Sequence, residues 1–199
     1  MKNPARRLAA LVASAFAFVA CSVHADVKLP AIISDHMVLQ QKEDCAIWGW
    51  ADPGEAVTVT IAGKTKSTKA GKDGRWKVEL SELKAGGPLT LVVKGKNTIN
   101  VNDVLVGEVW LGSGQSNMGF KVASANDFEG EKAKANLPKV RMFTVGAHAI
   151  PAPQDDCKCS WVICSADTVG TFSAALYFHG RELHAKLEPR SAHEALERR

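Results

Sequence analysis

The chain has 199 residues, of which 46% are hydrophobic and 23% are charged, and its formal net charge is +4. This composition is typical of a globular protein of one or two domains and excludes a largely disordered chain. Without residues 1–25, which carry three basic and no acidic side chains, 22 basic residues face 21 acidic ones. The charge therefore gives no support to nucleic-acid binding, and no nucleic-acid partner is expected.

The N-terminus has the pattern of an export signal. Basic residues precede an apolar stretch at residues 8–20, which is too short to span a bilayer. Val23-His24-Ala25 predicts cleavage before Asp26, so residues 1–25 are interpreted as a signal peptide and the mature chain as periplasmic or secreted. An alternative is a lipoprotein acylated at Cys21, although Phe18 at the first position of that motif fits poorly. No later segment is apolar enough to predict a membrane span.

Export would place four cysteines of the mature chain in an oxidising compartment. The last three form a C-x-C-x4-C pattern, which lacks the paired C-x2-C units or histidine partners of zinc sites. Disulfides or free buried thiols are therefore favoured over a metal, their pairing is open, and neither a metal nor another cofactor is expected. These cysteines are Cys45, Cys157, Cys159 and Cys164.

Residues 26–102 are predicted to form an all-β, sandwich-like domain. Apolar and polar side chains alternate at 57–61, 76–80 and 89–93, as in strands with one buried face. Turn signals separate these runs, namely Asp52-Pro53-Gly54, Gly71-Lys72-Asp73-Gly74 and Gly86-Gly87-Pro88.

Two tryptophans of this domain, Trp48 and Trp50, would share one face of a strand. They are candidate substrate-binding residues, because exposed indole rings can stack on sugars. The alternative interpretation is that both belong to the hydrophobic core, which is the commoner role of tryptophan.

From residue 103 the pattern changes to that of an α/β domain, assigned to residues 103–187. A nearly continuous apolar run over residues 104–111 predicts a strand buried on both faces, as in a parallel sheet flanked by helices. A polar helix is predicted over 127–136 and a second strand over 140–145. Apolar residues spaced as on one helix face predict an amphipathic helix over 172–187, with Thr171 as its N-cap.

Between these elements lies a segment with the chemistry of a nucleophile turn, Gly112-Ser113-Gly114-Gln115-Ser116-Asn117. A serine attacks a carbonyl when a tight turn exposes it and backbone N–H groups can stabilise the oxyanion. The glycines allow close approach, and the end of a buried strand is where α/β folds place their sites. The segment is not a G-x-S-x-G elbow, so an ordinary glycine-rich strand exit is the alternative.

The residues around this turn, Gly107-Glu108-Val109-Trp110-Leu111-Gly112-Ser113-Gly114-Gln115-Ser116-Asn117-Met118, resemble the nucleophile block of the sialate O-acetylesterase family, which belongs to the SGNH (GDSL-like) hydrolases. Other blocks resemble the same family in the same order and extend the similarity over about residues 28–187. They are Ser34-Asp35-His36-Met37-Val38-Leu39-Gln40, Trp48-Gly49-Trp50-Ala51-Asp52-Pro53-Gly54-Glu55, Gly74-Arg75-Trp76-Lys77-Val78 and the segments Phe172-Ser173-Ala174 and Gly180-Arg181-Glu182-Leu183-His184.

The resemblance implies a serine carboxylic-ester hydrolase that removes acetyl groups from sugars. Ser116 would be the nucleophile and its backbone N–H would bind the oxyanion, supported by Gly114, Gln115 and Asn117. An Asp-x-x-His pair late in the family's chains would supply the base and its orienting carboxylate. The implied substrates are O-acetyl sialic acids or acetylated polysaccharide.

The sequence departs from the family after Leu187. Residues 188–199 match none of the later family blocks, and no Asp-x-x-His occurs in the 199 residues. We therefore expect a truncated or frameshifted member with impaired activity, since the members of a catalytic triad act as a unit. The alternative is a non-catalytic, exported glycan-binding β-domain with a vestigial esterase segment.

Overall fold

The computed structural model describes residues 26–146 and 152–197, and in the last helix it describes side chains as far as Leu187. The predicted signal peptide at 1–25 and the alternative acylation site at Cys21 lie outside the described residues. No helix in the described ranges is long and apolar enough to cross a bilayer.

Seven strands make up the first part of the molecule. They are β1 (Val38–Gln40), β2 (Cys45–Trp50), β3 (Ala56–Ile61), β4 (Lys64–Lys69), β5 (Arg75–Leu80), β6 (Gly86–Lys94) and β7 (Thr98–Gly107). Five of them form a sheet in the order β1-β7-β6-β3-β4, in which β1 pairs parallel to β7 and the other pairs are antiparallel, while β2 and β5 form a separate antiparallel pair. The predicted β-rich character of this part is confirmed.

The alternating sequence pattern explains how these strands bury one face. On β3 the side chains of Val57, Val59 and Ile61 are buried, whereas the threonines between them lie on the opposite face. Trp76 and Leu80 of β5 are buried in the same way, and both sheets contribute to one hydrophobic cluster. Removing this apolar surface from water is the main force that holds the two sheets together.

The remaining elements are α1 (Ser116–Gly119), α2 (Phe128–Lys134), β8 (Leu137–Phe143), β9 (Trp161–Cys164) and α3 (Ala174–Glu197), with short 3₁₀ turns at Val122–Ser124 and Val169–Thr171. They surround a second cluster, in which Phe172, Cys164 and Tyr177 are buried. The predicted strand at 140–145 corresponds to β8, but its partner β9 was not predicted, because it is four residues long and lies in the cysteine-rich loop.

The parallel sheet expected from residue 103 onwards is not formed by the described strands. The predicted two-faced strand over 104–111 is wrong: its first half completes β7 in the five-stranded sheet, and residues 108–115 form no strand. Val109, Trp110 and Leu111 are 44%, 59% and 95% exposed. β8 and β9 pair antiparallel, so β1–β7 is the single parallel pair among the described strands.

The long helix begins two residues later than Thr171 would place it. Thr171 ends the preceding 3₁₀ turn, where its hydroxyl donates to the carbonyl of Thr168 at 2.8 Å. Ser173 provides the first helical carbonyl, which accepts from the backbone N–H of Tyr177 at 2.8 Å. Thr171 is therefore not the N-cap of α3, because its side chain is already satisfied within the turn before it.

A charged cluster joins the two parts of the chain. The guanidinium of Arg141 on β8 donates to both carboxylate oxygens of Asp103 at 2.9 Å and to the carbonyl of His36 at 2.9 Å. Nδ1 of His36 lies 2.7 Å from Oδ2 of the same carboxylate. The Arg141 side chain is only 4% exposed. We call these three residues the junction cluster.

Two residues of the junction cluster have a strained backbone, and the cluster also lowers the pKa of its carboxylate. His36 and Asp103 have φ values of 69° and 53°, a left-handed conformation that residues other than glycine rarely adopt. Burial alone would raise the pKa of Asp103, but the hydrogen bonds from His36 and Arg141, with their charges, outweigh it and hold that pKa below its ordinary value.

All four cysteines in the described ranges are free thiols. Burial raises the pKa of Cys45, and it raises the pKa of Cys164 to about 11, so that about one Cys164 thiol in a thousand is ionised at pH 8. Burial, together with a hydrogen bond from Cys159, raises the pKa of Cys157 to about 11 as well.

This arrangement predicts the order in which the thiols react. At pH 8, iodoacetamide is expected to modify the half-exposed Cys159 first and to reach Cys45 and Cys164 only after unfolding, because alkylation requires an accessible thiolate. Peptide mass spectrometry with and without guanidinium measures this order. Equal modification of all four thiols in the folded chain would contradict the described packing.

Candidate active site

The segment that follows β7 is fixed at its start by two glutamines from the end of β1. The carboxylate of Glu108 accepts from the side-chain amides of Gln41 at 2.6 Å and Gln40 at 3.3 Å. These hydrogen bonds, with that of Gln41 the stronger, lower the pKa of Glu108. The backbone N–H of Val109 donates to the amide oxygen of Gln40 at 2.8 Å. The chain therefore leaves the β-sheet in a direction that β1 determines.

Two glycines let the next residues run close to their neighbours. A Cβ atom added at Gly112 would lie 2.6 Å from the side-chain methyls of Leu176 on α3, and one added at Gly114 would lie 3.3 Å from the Cβ of Met118. Glycine at these positions allows the segment to contact the helix and to turn back on itself.

Ser116 is the first residue of α1, a single turn in which the backbone N–H of Gly119 donates to the carbonyl of Gln115 at 2.9 Å. Ser116 is exposed, and so are its neighbours Gln115 and Asn117. Within the described residues, no side chain or backbone group forms a hydrogen bond with the Ser116 hydroxyl. Gly114, Gln115, Ser116 and Asn117 thus lie together in one exposed turn.

The start of α3 anchors this turn from the other side. The buried hydroxyl of Ser173 donates to the sulfur of Met118 at 3.5 Å. The backbone N–H of Ala174 donates to the carbonyl of Phe120 at 2.8 Å, and that of Val122 donates to Phe172 at 3.0 Å. The turn is held between the end of a sheet and the beginning of a helix, which leaves its hydroxyl face open to solvent.

Two of the described histidines, His36 and His179, have partners other than the candidate nucleophile. His36 belongs to the junction cluster, and the ring of His179 packs edge-on against Trp110 with centroids 4.8 Å apart. The side chains of His148 and His193 lie outside the described set. In the described part of the chain, no group of three or more histidine, cysteine or acidic side chains has a metal-binding arrangement.

The two tryptophans predicted to bind substrate are not part of the serine turn. Trp48 and Trp50 lie on the outer face of β2, where Trp48 is 36% exposed and Trp50 is half-buried. Their cross-strand neighbours are Lys77 and Arg75 on β5. The alternative interpretation, that both belong to the core, is wrong for Trp48. Side chains alternate along β2, so Ile47 enters the hydrophobic cluster and Trp48 faces away from it.

Comparisons with known proteins agree on one group of enzymes. No family model matches the chain. Sialate O-acetylesterases of Mus musculus and Homo sapiens are 33% and 32% identical to it over 183 residues, which cover 81% of this chain and about a third of each relative, 34% and 35%. The crystal structure of a carbohydrate acetylesterase from Xanthomonas citri superimposes with a TM-score of 0.79 at 37% identity, covering 82% of this chain and 38% of that one. The chain is thus a relative of the sialate O-acetylesterases, as its sequence motifs indicated.

Proposed function

We propose that the chain acts on acetyl esters of carbohydrates and that Ser116 is its nucleophile. The observation that carries this proposal is the exposed Ser116 turn, held between the Gln40–Glu108 contact and the start of α3. The acetylesterase activity named for its relatives supports the same reaction class. The substrates we propose are O-acetyl sialic acids or acetylated polysaccharide, and the chemistry needs no cofactor.

In this reaction the Ser116 oxygen attacks the carbonyl carbon of the acetyl group while its proton passes to a base. The backbone N–H of Ser116 would stabilise the oxyanion that forms. The ester C–O bond then breaks, the sugar hydroxyl leaves with a proton, and water releases acetate from the acetyl-serine. The exposed face of the turn gives an ester room to approach.

The base is the part of this mechanism that the described residues do not provide. The hydroxyl of Ser116 forms no hydrogen bond to them, and the 199 residues contain no Asp-x-x-His. Losing the base of a serine triad costs about 10⁶ in kcat in a serine protease. We therefore propose that the chain carries a nucleophile turn with impaired turnover.

The finer fold and the location follow as parts of the same proposal. Of the predicted domain over residues 103–187, the part that follows β7 would be the first part of an SGNH-type esterase domain, which is supported by the separate hydrophobic cluster around Phe172 and Tyr177. Residues 1–25 would direct the chain to the periplasm or the exterior, where acetylated polysaccharides are accessible.

Acetate release tests the proposal directly. The chain is incubated with 9-O-acetyl-N-acetylneuraminic acid and with acetylated xylan, and free acetate is followed by NMR. We expect a slow release that exceeds the release by Ser116→Ala, because an unactivated hydroxyl is a weak nucleophile. Equal rates for both proteins would overturn the proposal. Turnover of about 1–10³ s⁻¹ would contradict the proposed impairment, since this is the ordinary range of complete enzymes.

A further inference from the structure

A groove lies on the outer face of β2 and β5, apart from the serine turn. It has a volume of about 470 Å³ and is lined among others by Trp48, Trp50, Asp73, Arg75, Lys77 and Asp155. The side of the groove that Asp155 forms comes from the loop between β8 and β9, so both parts of the molecule contribute to it. No residue of the Ser116 turn lines it.

The outward tryptophans distinguish this face from the rest of the β-rich part. Outer positions of β3 and β4 carry hydrogen-bonded hydroxyl pairs, such as Thr58 with Ser67 at 3.0 Å and Thr60 with Thr65 at 3.1 Å. On β2 the corresponding positions carry Trp48 and Trp50, which are two residues apart and so about 7 Å apart along the strand. The two partly exposed indole rings side by side give a flat ring a surface to stack on.

Polar groups surround the two indole rings. Arg75 donates to the carboxylate of Asp155 at 2.6 Å, and Asp73 accepts from the backbone N–H of Arg75 at 3.1 Å. Lys77 lies beside Trp48 across the strand pair.

These features match the surface of a sugar. A pyranose ring has an apolar face of C–H groups and an edge of hydroxyls, so it stacks on an indole while its hydroxyls bond to polar groups at the rim. The lining charges are nearly balanced, with Lys69, Arg75 and Lys77 against Asp73 and Asp155. The balance favours neutral sugar units over strongly acidic ones.

We propose that this groove binds neutral pyranose units of a glycan chain, with Trp48 and Trp50 as the stacking surface. This inference depends on the proposed function in one respect: the glycan bound in the groove would be the one that carries the acetyl ester. The groove would hold the polymer and increase the local concentration of esters near the chain. The groove does not require Ser116, so it serves equally a chain that binds glycans without cleaving them.

Binding of unacetylated xylohexaose tests the groove apart from ester cleavage, because this ligand has no acetyl group to remove. Calorimetric titration of the full chain is compared with Trp48→Ala and Trp50→Ala, and Trp110→Ala is the control, since Trp110 is 59% exposed and lies outside the groove. Each groove variant is expected to weaken binding at least about tenfold, and the control is expected to bind as the parent chain does. Thermal unfolding establishes that each variant is folded.

Three outcomes would overturn the proposal: unchanged binding in both folded groove variants, loss of binding in Trp110→Ala alone, or binding of sialyllactose without any binding of xylohexaose. Its failure is distinguishable from failure of the esterase proposal, which depends on Ser116. Binding lost in Trp48→Ala but retained in Ser116→Ala would support the groove whatever the acetate assay shows.

Discussion

Ser116→Ala is expected to abolish covalent labelling of the chain by a fluorophosphonate ester. The ester phosphonylates an exposed, nucleophilic serine oxygen with loss of fluoride, and the product is stable enough for peptide mass spectrometry. Labelling is expected over hours and not seconds, because no described residue accepts the Ser116 proton through a hydrogen bond. The measurement identifies the nucleophile from one chemical event and does not require turnover.

Ser113 provides a matched control for this experiment. It lies three residues earlier in the same segment, is also exposed and has the same hydroxyl chemistry. Ser113→Ala is expected to leave labelling unchanged, because Ser113 precedes the helical turn that positions Ser116. Labelling that persists in Ser116→Ala, or that disappears in Ser113→Ala, would remove Ser116 as the nucleophile.

Asp103→Asn is expected to lower the free energy of unfolding by about 2–3 kcal/mol. The change leaves the guanidinium of Arg141, whose side chain is 4% exposed, without its carboxylate, and an unpaired buried charge typically costs 3–5 kcal/mol. The one-third exposure of Asp103 places the expected loss below that range. Asparagine tolerates the left-handed backbone at this position, so the effect reports the charge and not the backbone.

The same substitution is expected to change the response of stability to pH. Because the pKa of Asp103 is lower in the folded chain, its contribution is complete above the ordinary aspartate pKa of about 4. The contribution is lost as pH falls through the lower pKa of the folded state. Asp103→Asn should therefore be less stable than the parent chain at pH 7, and the difference should shrink as pH falls through the lowered pKa of the folded state.

Urea unfolding at pH 7 and pH 3 measures both effects, with Glu79→Gln as the control. Glu79 pairs with Lys77 at 2.8 Å, but both side chains are more than half exposed. Such surface pairs contribute less than about 1 kcal/mol, so this change should alter stability by no more than about 0.5 kcal/mol. Equal losses for the two variants would show that the junction cluster does not stabilise the fold.

Much of the β-rich part followed from its sequence, because half-buried antiparallel strands leave a period of two in the residues themselves. The turns between strands were similarly visible from glycine, proline and aspartate. The serine turn was also located from its glycines, and residues 114–117 are exposed in the structure, while the role of Ser116 stays a prediction. These features are local, so a single stretch of sequence contains the information that determines them.

The sequence predictions that were wrong or incomplete concern features that depend on residues far away in the sequence. The apolar run over 104–111 predicted one buried strand, but whether its second half is covered depends on which strands pair with it. Arg141 was not predicted to matter, because its partners His36 and Asp103 are far away in sequence. Tyr177, which is fully buried with its hydroxyl 3.4 Å from Glu131, was not among the predicted core residues.

The contacts of Gln40 and Gln41 with Glu108 limit how segments of related proteins can be recombined. The serine turn takes its starting direction from glutamines nearly 70 residues earlier, and Arg141 reaches back to a carbonyl in the same region. The β-rich part is therefore more than an interchangeable attachment to a reactive segment. A chimaera that joins this β-rich part to the C-terminal part of a relative is expected to fold only if it keeps four residues together. They are Gln40, Gln41, His36 and Asp103. The two parts are thus expected to be inherited together.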